Sequence, residues 1–296
     1  MSVSFVNETA PVLDETVAVA EALTYASPPI DPSQGIGMGL HFYPFSNDYN
    51  LGIAYPALLR SREASGSLVP PAGTTYATLI VGNGSFEAAV EHIPERDLVL
   101  FCDSNPATLF VQRLIIETIK GAADLDEFNE SIRQVISGIP DLVFGRDAGV
   151  KTTADVAQKF IDSYFERASD WDGSWQKGGP DSRAQPFFTR NNGAFLRAKA
   201  GIMNRVFAFY LVDISSDTSL EAFGEVLQEN GVVIAGANMT NVLDAGYAAH
   251  SSQSLQQCLP WHPDAHVLET SVNNFRSRLR PLGALGRSVV STAINW

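Results

Sequence analysis

The sequence predicts an α/β protein: a doubly wound sheet with a helical N-terminal region and a helical insertion between the second and third strands. Three observations predict it. Residues 76–81 and 98–102 are compact apolar runs without charge, the pattern of strands buried on both faces. A glycine turn and a helical pattern separate them, giving the order strand, glycine turn, helix, strand, acid, helix of a βαβ unit. The same kind of apolar run returns at 206–212 and 232–235, after a long stretch of helical periodicity.

Taken in order, residues 10–26 fit a helix and the following SPPIDPSQGIGMG is a Pro/Gly-rich breaker. An aromatic-rich segment, HFYPFSNDYNLGIAYPALLRSRE, ends in a short helical pattern, and SGSLVPPAGT at 65–74 makes a second break. The strand at 76–81 runs into Gly82-Asn83-Gly84-Ser85, with a helix expected over 86–92. The strand at 98–102 closes on Asp103. Asn105-Pro106 then opens a helix, proline being suited to a first-turn position.

Residues 128–136, 156–165 and 192–203 fit helices, and DWDGSWQKGGPDSRAQPFF between them is a polar loop in which Trp171 and Trp175 can act as a lid. The strand at 206–212 closes on Asp213, a helix fits 219–229, and Asn230-Gly231 turns the chain into 232–235. That strand runs into Gly236-Ala237-Asn238-Met239-Thr240-Asn241, and alternation at 288–294 suits an edge strand. The expected organisation is an N-terminal helical and aromatic region over 1–70, then a cofactor-binding domain over 71–296 with the helical insertion at about 121–204.

Composition narrows the function classes. The chain has 296 residues, 45% of them hydrophobic, and a net charge of −13, with a sequence pI near 4.7. Such a balance disfavours nucleic acid, whose phosphates call for a basic surface. The nearest thing to a basic patch is Arg276, Arg278, Arg280 and Arg287, of which Arg276 and Arg280 would share a face if helical. Two cysteines, Cys102 and Cys258, supply neither a disulfide framework nor a metal-ligand spacing. His262 and His266 form an H-x-x-x-H pair without the glutamate of a zinc-protease helix, and Pro263 opposes a regular helix, so no metal is expected. There is no signal-peptide pattern and no apolar run long enough to span a membrane, which predicts a cytoplasmic protein without a membrane partner. Oligomeric state is not written in the sequence.

The βαβ unit carries the chemistry. A glycine turn after one strand lets the backbone approach a ligand, and an acid at the next strand tip can accept both ribose hydroxyls. Asp103 lies about 20 residues beyond the turn, the spacing of that role. A nicotinamide dinucleotide and S-adenosylmethionine can both use such a site. Here the turn reads Gly82-Asn83-Gly84-Ser85-Phe86-Glu87, without the third glycine of a dinucleotide turn, and Glu87 would face a pyrophosphate. The balance favours the sulfonium cofactor, which has no phosphate.

The segments TLIVGNGSF, LVLFCDSNP, FYLVDISS and VVIAGANMTNV resemble the successive strand ends of class I S-adenosylmethionine-dependent methyltransferases, a Rossmann-like superfamily. The resemblance covers about 80 residues and is one of pattern. It implies that Gly82, Asn83 and Gly84, with Ser85, contact the methionine part, and that Asp103, with Ser104 beside it, holds the ribose. Asp213, Ile214 and Ser215 would lie near adenine, and Asn238, Thr240 and Asn241 would face the methyl group and substrate. His41, Tyr43 and Tyr49 of the aromatic segment can assist an amine acceptor or wall its pocket. The implied activity is methyl transfer to a small-molecule or peptide-like acceptor.

Departures from the family pattern are a Val81 where an acid is common, Phe86 at the later glycine position, and the unusually long insertion. They keep three alternatives open: aminocarboxypropyl transfer from the same cofactor, an NAD(P)-dependent oxidoreductase, and a non-catalytic binding protein that retains the fold.

Overall fold

The computed structural model describes residues 9–31, 51–66, 68–81, 92–137, 191–239, 248–270 and 277–284. Their centre is one six-stranded sheet in the order β3-β2-β1-β4-β5-β6. The strands are β1 (Thr75–Val81), β2 (Leu98–Asp103), β3 (Val206–Leu211), β4 (Val232–Asn238), β5 (Trp261–Thr270) and β6 (Ser277–Pro281). β1 to β5 are mutually parallel, and β6 returns antiparallel along β5. The chain is therefore α/β with a mostly parallel sheet, and the first four strands fall where the apolar runs place them.

Helices cover both faces, because alternate side chains of each strand belong to two separate apolar layers. One layer takes Ile80, Val99, Phe101 and Phe209 from the strands. It is closed by α2 (Leu51–Ser65), α3 (Pro106–Gly121), α4 (Leu125–Ser137) and α5 (Asn192–Met203). The other takes Leu79, Leu100, Cys102 and Tyr210 under α1 (Thr9–Ala26), α6 (Asp217–Glu229) and α7 (Ala248–Cys258). The N-terminal helices α1 and α2 thus lie against opposite faces of the same sheet. Among the described residues, no helix is long and apolar enough to cross a membrane.

Local chemistry sets the helix ends. Pro106 begins α3 immediately after Asn105, whose carbonyl accepts the Thr108 N–H at 3.1 Å. Asn191 and Ser216 cap α5 and α6, accepting from the Ala194 and Ser219 amides. β3 is an edge strand, and the Ser27 hydroxyl beyond α1 accepts its Leu211 N–H at 3.0 Å, satisfying a group that would otherwise be open to pairing.

α4 and α5 supply the two described ends of the helical insertion; residues 156–165, Trp171 and Trp175 lie outside the described residues, as does nearly all of 86–92. Three expectations change. β4 does not end at 235: a bulge at Ala235 shifts the register, so Ala77 pairs with Ile234 and Thr78 with Gly236, and the strand continues through Asn238. The sheet gains β5 and β6, which the sequence pattern hides because β5 makes an excursion at 262–265, between the pairings Ile234↔Trp261 and Gly236↔His266. Arg280 sits on β6 rather than on a helix face, and its side chain is paired with Glu269 of β5. The edge strand expected over 288–294 lies outside the described residues.

Close helix packing gives a testable consequence. A Cβ built on Gly224 of α6 would stand 1.9 Å from the Cys258 carbonyl oxygen at the end of α7. Backbone cannot yield as a flexible side chain does, so Gly224→Ala is expected to cost about 2–3 kcal/mol despite alanine's higher helix propensity. A denaturant titration checks this, and an unchanged midpoint would mean that the two helices do not approach so closely.

Candidate functional site

Along the sheet, β1, β2 and β3 step one way, whereas β4 and β5 step the other. The reversal falls between β1 and β4, and the crevice beyond the carboxyl ends of strands at such a point is the ligand-binding place of open α/β sheets. β1 ends at Val81, so Gly82-Asn83-Gly84-Ser85 follow directly from its carboxyl end; these four lie outside the described residues. Thr240, Asn241, His41, Tyr43 and Tyr49 lie outside them too. Asp103, Ser104, Asp213, Ile214, Ser215 and Asn238 are described, and all six stand at or just beyond the carboxyl ends of β2, β3 and β4.

Asp103 is the last residue of β2 and is only partly exposed. One carboxylate oxygen accepts the Asn105 N–H at 2.7 Å, and its own carbonyl accepts the Val212 N–H at 3.0 Å, tying the β2 tip to the end of β3. Burial pushes its carboxyl up to about 6, against the pull of the Asn105 and Ser104 amides. A carboxylate anchored through one oxygen can take a vicinal diol, and donors of that kind would lower its proton affinity again.

Asp213 has a different environment. Its carboxylate accepts the Ser215 N–H at 2.9 Å and the Ser215 hydroxyl at 2.6 Å, and its N–H donates to the Ser219 hydroxyl at 3.0 Å. This is a self-contained Asx turn leading into the Ser216 cap of α6. Ile214 packs against the layer under α1 and α6. Asp213 and Ser215 thus reach the expected edge of the sheet with hydrogen bonds already spent on each other.

Asn238 is wholly buried at the end of β4, opposite Ile80 of β1 and Leu268 of β5. Its amide nitrogen donates to the hydroxyl of Tyr55, itself only 1% exposed, at 2.8 Å. Tyr55 is the partner of Asn238 that sequence reasoning misses: the two are far apart along the chain, and in the sequence Tyr55 reads as one more apolar position of α2. Leu58 lies one helical turn on and packs over Gly236, where a Cβ would meet its side chain at 3.1 Å. Further along α2, Arg62 reaches Asp97, just before β2. The helix therefore descends from the carboxyl to the amino edge of the sheet, antiparallel to the strands.

Two other polar groups lie lower on that face. Arg62 and Asp97 form a bidentate pair with both side chains buried, the Thr78 hydroxyl donates to Asp97 at 3.0 Å, and the guanidinium stands 5.7 Å from the Tyr76 ring centre. Burial raises the Asp97 carboxyl above its ordinary value, with Arg62 and Thr78 pulling it back. Nearby, Ser61 Oγ lies 2.8 Å from Nδ1 and 3.2 Å from Nε2 of His266. Near-equal distances put the hydroxyl over the ring rather than along either nitrogen lone pair, which is not the geometry of an activated nucleophile. His262 and His266 brace the β5 excursion through the amide and carbonyl of Asp264. Among the described residues, no group of three or more His, Cys, Asp or Glu is placed to hold a metal. No model of a known protein family matches this chain, and a search of curated proteins finds no match to it.

Proposed function

We propose that the chain is a Rossmann-like, S-adenosylmethionine-dependent methyltransferase acting in the cytoplasm on a small-molecule or peptide-like acceptor. The observation that carries this reading is Asp103 at the tip of β2, beside a β1 that runs straight into Gly-Asn-Gly at the reversal of strand order. The glycines bring backbone to the methionine part of the cofactor, Asp103 accepts its ribose hydroxyls, and the end of β4 borders the transferred methyl group. Transfer needs little acid–base machinery, because the sulfonium already supplies the leaving group and positioning supplies much of the rate. With the cofactor bound, the acceptor's lone pair would form the new bond to the methyl carbon as the carbon–sulfur bond breaks onto sulfur, and an amine acceptor would release its proton to solvent.

The sheet also bears on the dinucleotide alternative. A dinucleotide fold has two three-stranded mononucleotide halves. Here the second half has β4 and β5 in parallel and an antiparallel β6, so it lacks the third parallel strand of such a half among the described residues. Calorimetric titration with S-adenosylhomocysteine tests the reading. Heat and a thermal shift are expected with the intact chain and should fall at least tenfold in apparent affinity for Asp103→Ala, because a charged acceptor of two hydroxyls is lost. No response to S-adenosylhomocysteine together with a response to NADH overturns it in favour of the oxidoreductase; no response to either leaves the binding protein.

A further inference from the structure

We infer that Pro106 is a positioning residue for Asp103: by confining Asn105 to extended backbone it keeps the Asn105 N–H on one carboxylate oxygen and leaves the other oxygen open to a ribose diol. The inference deepens the methyltransferase reading, on which the identity of the ligand rests, and adds a residue that acts through another. It begins with the connection between β2 and α3. β2 ends at Asp103 and α3 begins at Pro106, so Ser104 and Asn105 alone join a strand to a packed helix. Both ends are fixed: β2 by its pairing with β1 and β3, and α3 by Leu109, Ile115 and Ile116 in the layer that contains Val99 and Phe101. What can still vary is the backbone of the two joining residues.

Asn105 does two things at once. Its N–H donates to one Asp103 oxygen at 2.7 Å, and its carbonyl accepts from the Thr108 N–H at 3.1 Å and the Leu109 N–H at 3.5 Å, opening the helix. Amide and carbonyl can serve both partners only over a narrow range of backbone angles. A following proline supplies that range in advance, because its ring excludes helical backbone at the residue before it and forfeits no helical hydrogen bond at the first position. With alanine at 106, Asn105 could join the helix and draw its N–H away from the acid. The other Asp103 oxygen accepts no hydrogen bond from a described residue and is not sealed from solvent, the residue being partly exposed. One anchored oxygen therefore sets the rotation of the carboxylate, and with it the direction in which the open oxygen faces.

The test has two readouts, both on the full chain. In the ligand-free protein, an NMR titration follows the Asp103 carboxyl, whose value of about 6 is set by burial against the Asn105 and Ser104 amides. The Cys102 thiol beside it and the Tyr210 hydroxyl on β3 are both pushed up by burial and stay neutral through that range. Pro106→Ala should loosen the Asn105 bond and move the Asp103 midpoint above about 6. A merely structural role of the buried proline ring would lower the melting temperature and leave the midpoint in place. In calorimetry at pH 7, Pro106→Ala should weaken S-adenosylhomocysteine roughly two- to tenfold, the range of one hydrogen bond. Added to Asp103→Ala it should weaken binding no further, because no carboxylate remains to be oriented. An unchanged Asp103 midpoint, or an equal loss of affinity in both backgrounds, overturns the inference. Absence of binding by the unmodified chain removes the methyltransferase reading instead, and the midpoint alone then decides whether Pro106 positions Asp103.

Discussion

Replacing Arg62 with alanine is expected to destabilise the protein by about 3–5 kcal/mol, the cost of leaving one member of a buried ion pair without its partner. Arg62 and Asp97 are 1% and 0% exposed, and Asp97 also holds the Thr78 hydroxyl. Without the guanidinium, the Asp97 carboxylate keeps one hydroxyl donor against its full desolvation, and its proton affinity rises above an already raised value. The sign of the pH dependence follows. A carboxyl with a raised folded-state pKa contributes most stability when protonated and loses it as pH rises, so Arg62→Ala should be more damaging at pH 8 than at pH 5. Denaturant titrations at the two pH values check this. Combining Arg62→Met, Asp97→Leu and Thr78→Val removes the ion pair and its hydroxyl donor together, and should recover most of the loss if the pair specifies the seat of α2 more than it stabilises it. A triple variant as unstable as Arg62→Ala would show the pair itself to be the source of stability.

The second large effect is expected at Asp103, where stability and binding should move in opposite directions. Burial raises its carboxyl from an ordinary 3.8 to about 6. The contribution of this group to stability is therefore complete below the unfolded value, near pH 4, and is lost as pH climbs through 6. Above pH 6 the folded chain carries a carboxylate that it disfavours. Asp103→Asn should raise stability at pH 7.5 by roughly 1–3 kcal/mol, less than the full shift implies because one anchored oxygen is exchanged for an amide, and the gain should vanish near pH 4. The same variant should lose S-adenosylhomocysteine. On the proposed reading, S-adenosylhomocysteine binding would draw on the ionised carboxyl, so affinity should be about tenfold weaker at pH 5 than at pH 7. A variant less stable than the parent at pH 7.5 would show that the Ser104 and Asn105 amides already balance the burial.

These residues also mark how far the sequence can be read. β1 and β2 are legible because every residue from Thr75 to Val81 and from Leu98 to Cys102 is buried, so the strands carry no charge and little alternation. Asp103 is legible for the complementary reason: a single acid ends an apolar run. β5 is not, since His-Pro-Asp-Ala at 262–265 interrupts both the alternation and the pairing register. β6 reads Ser-Arg-Leu-Arg-Pro, two arginines in five residues, and the partner of Arg280 is Glu269 on the neighbouring strand, which nothing local to β6 announces. The turn after β4 is placed three residues too early because a bulge is a property of pairing, and Gly236 looks like a terminator when read alone. Pairings such as Tyr55 with Asn238 and Arg62 with Asp97 are chosen by the packing of α2 on the sheet, and nothing local to either residue announces them.

The position of β1 in the middle of the sheet has a cost during synthesis. Its partner β2 follows soon after it, but its other edge waits for β4, since Thr75 pairs with Val232. At roughly 5–20 residues per second, the ribosome takes on the order of ten seconds or more to deliver that partner, much of it spent on the helical insertion. Through that interval a charge-free strand, destined for burial along its whole length, has one ladder of hydrogen-bonding groups without its final mate. The nascent chain is most exposed to mispairing at the strand that later lies at its centre, and the arrival of β4 both closes that edge and completes the crevice beyond it.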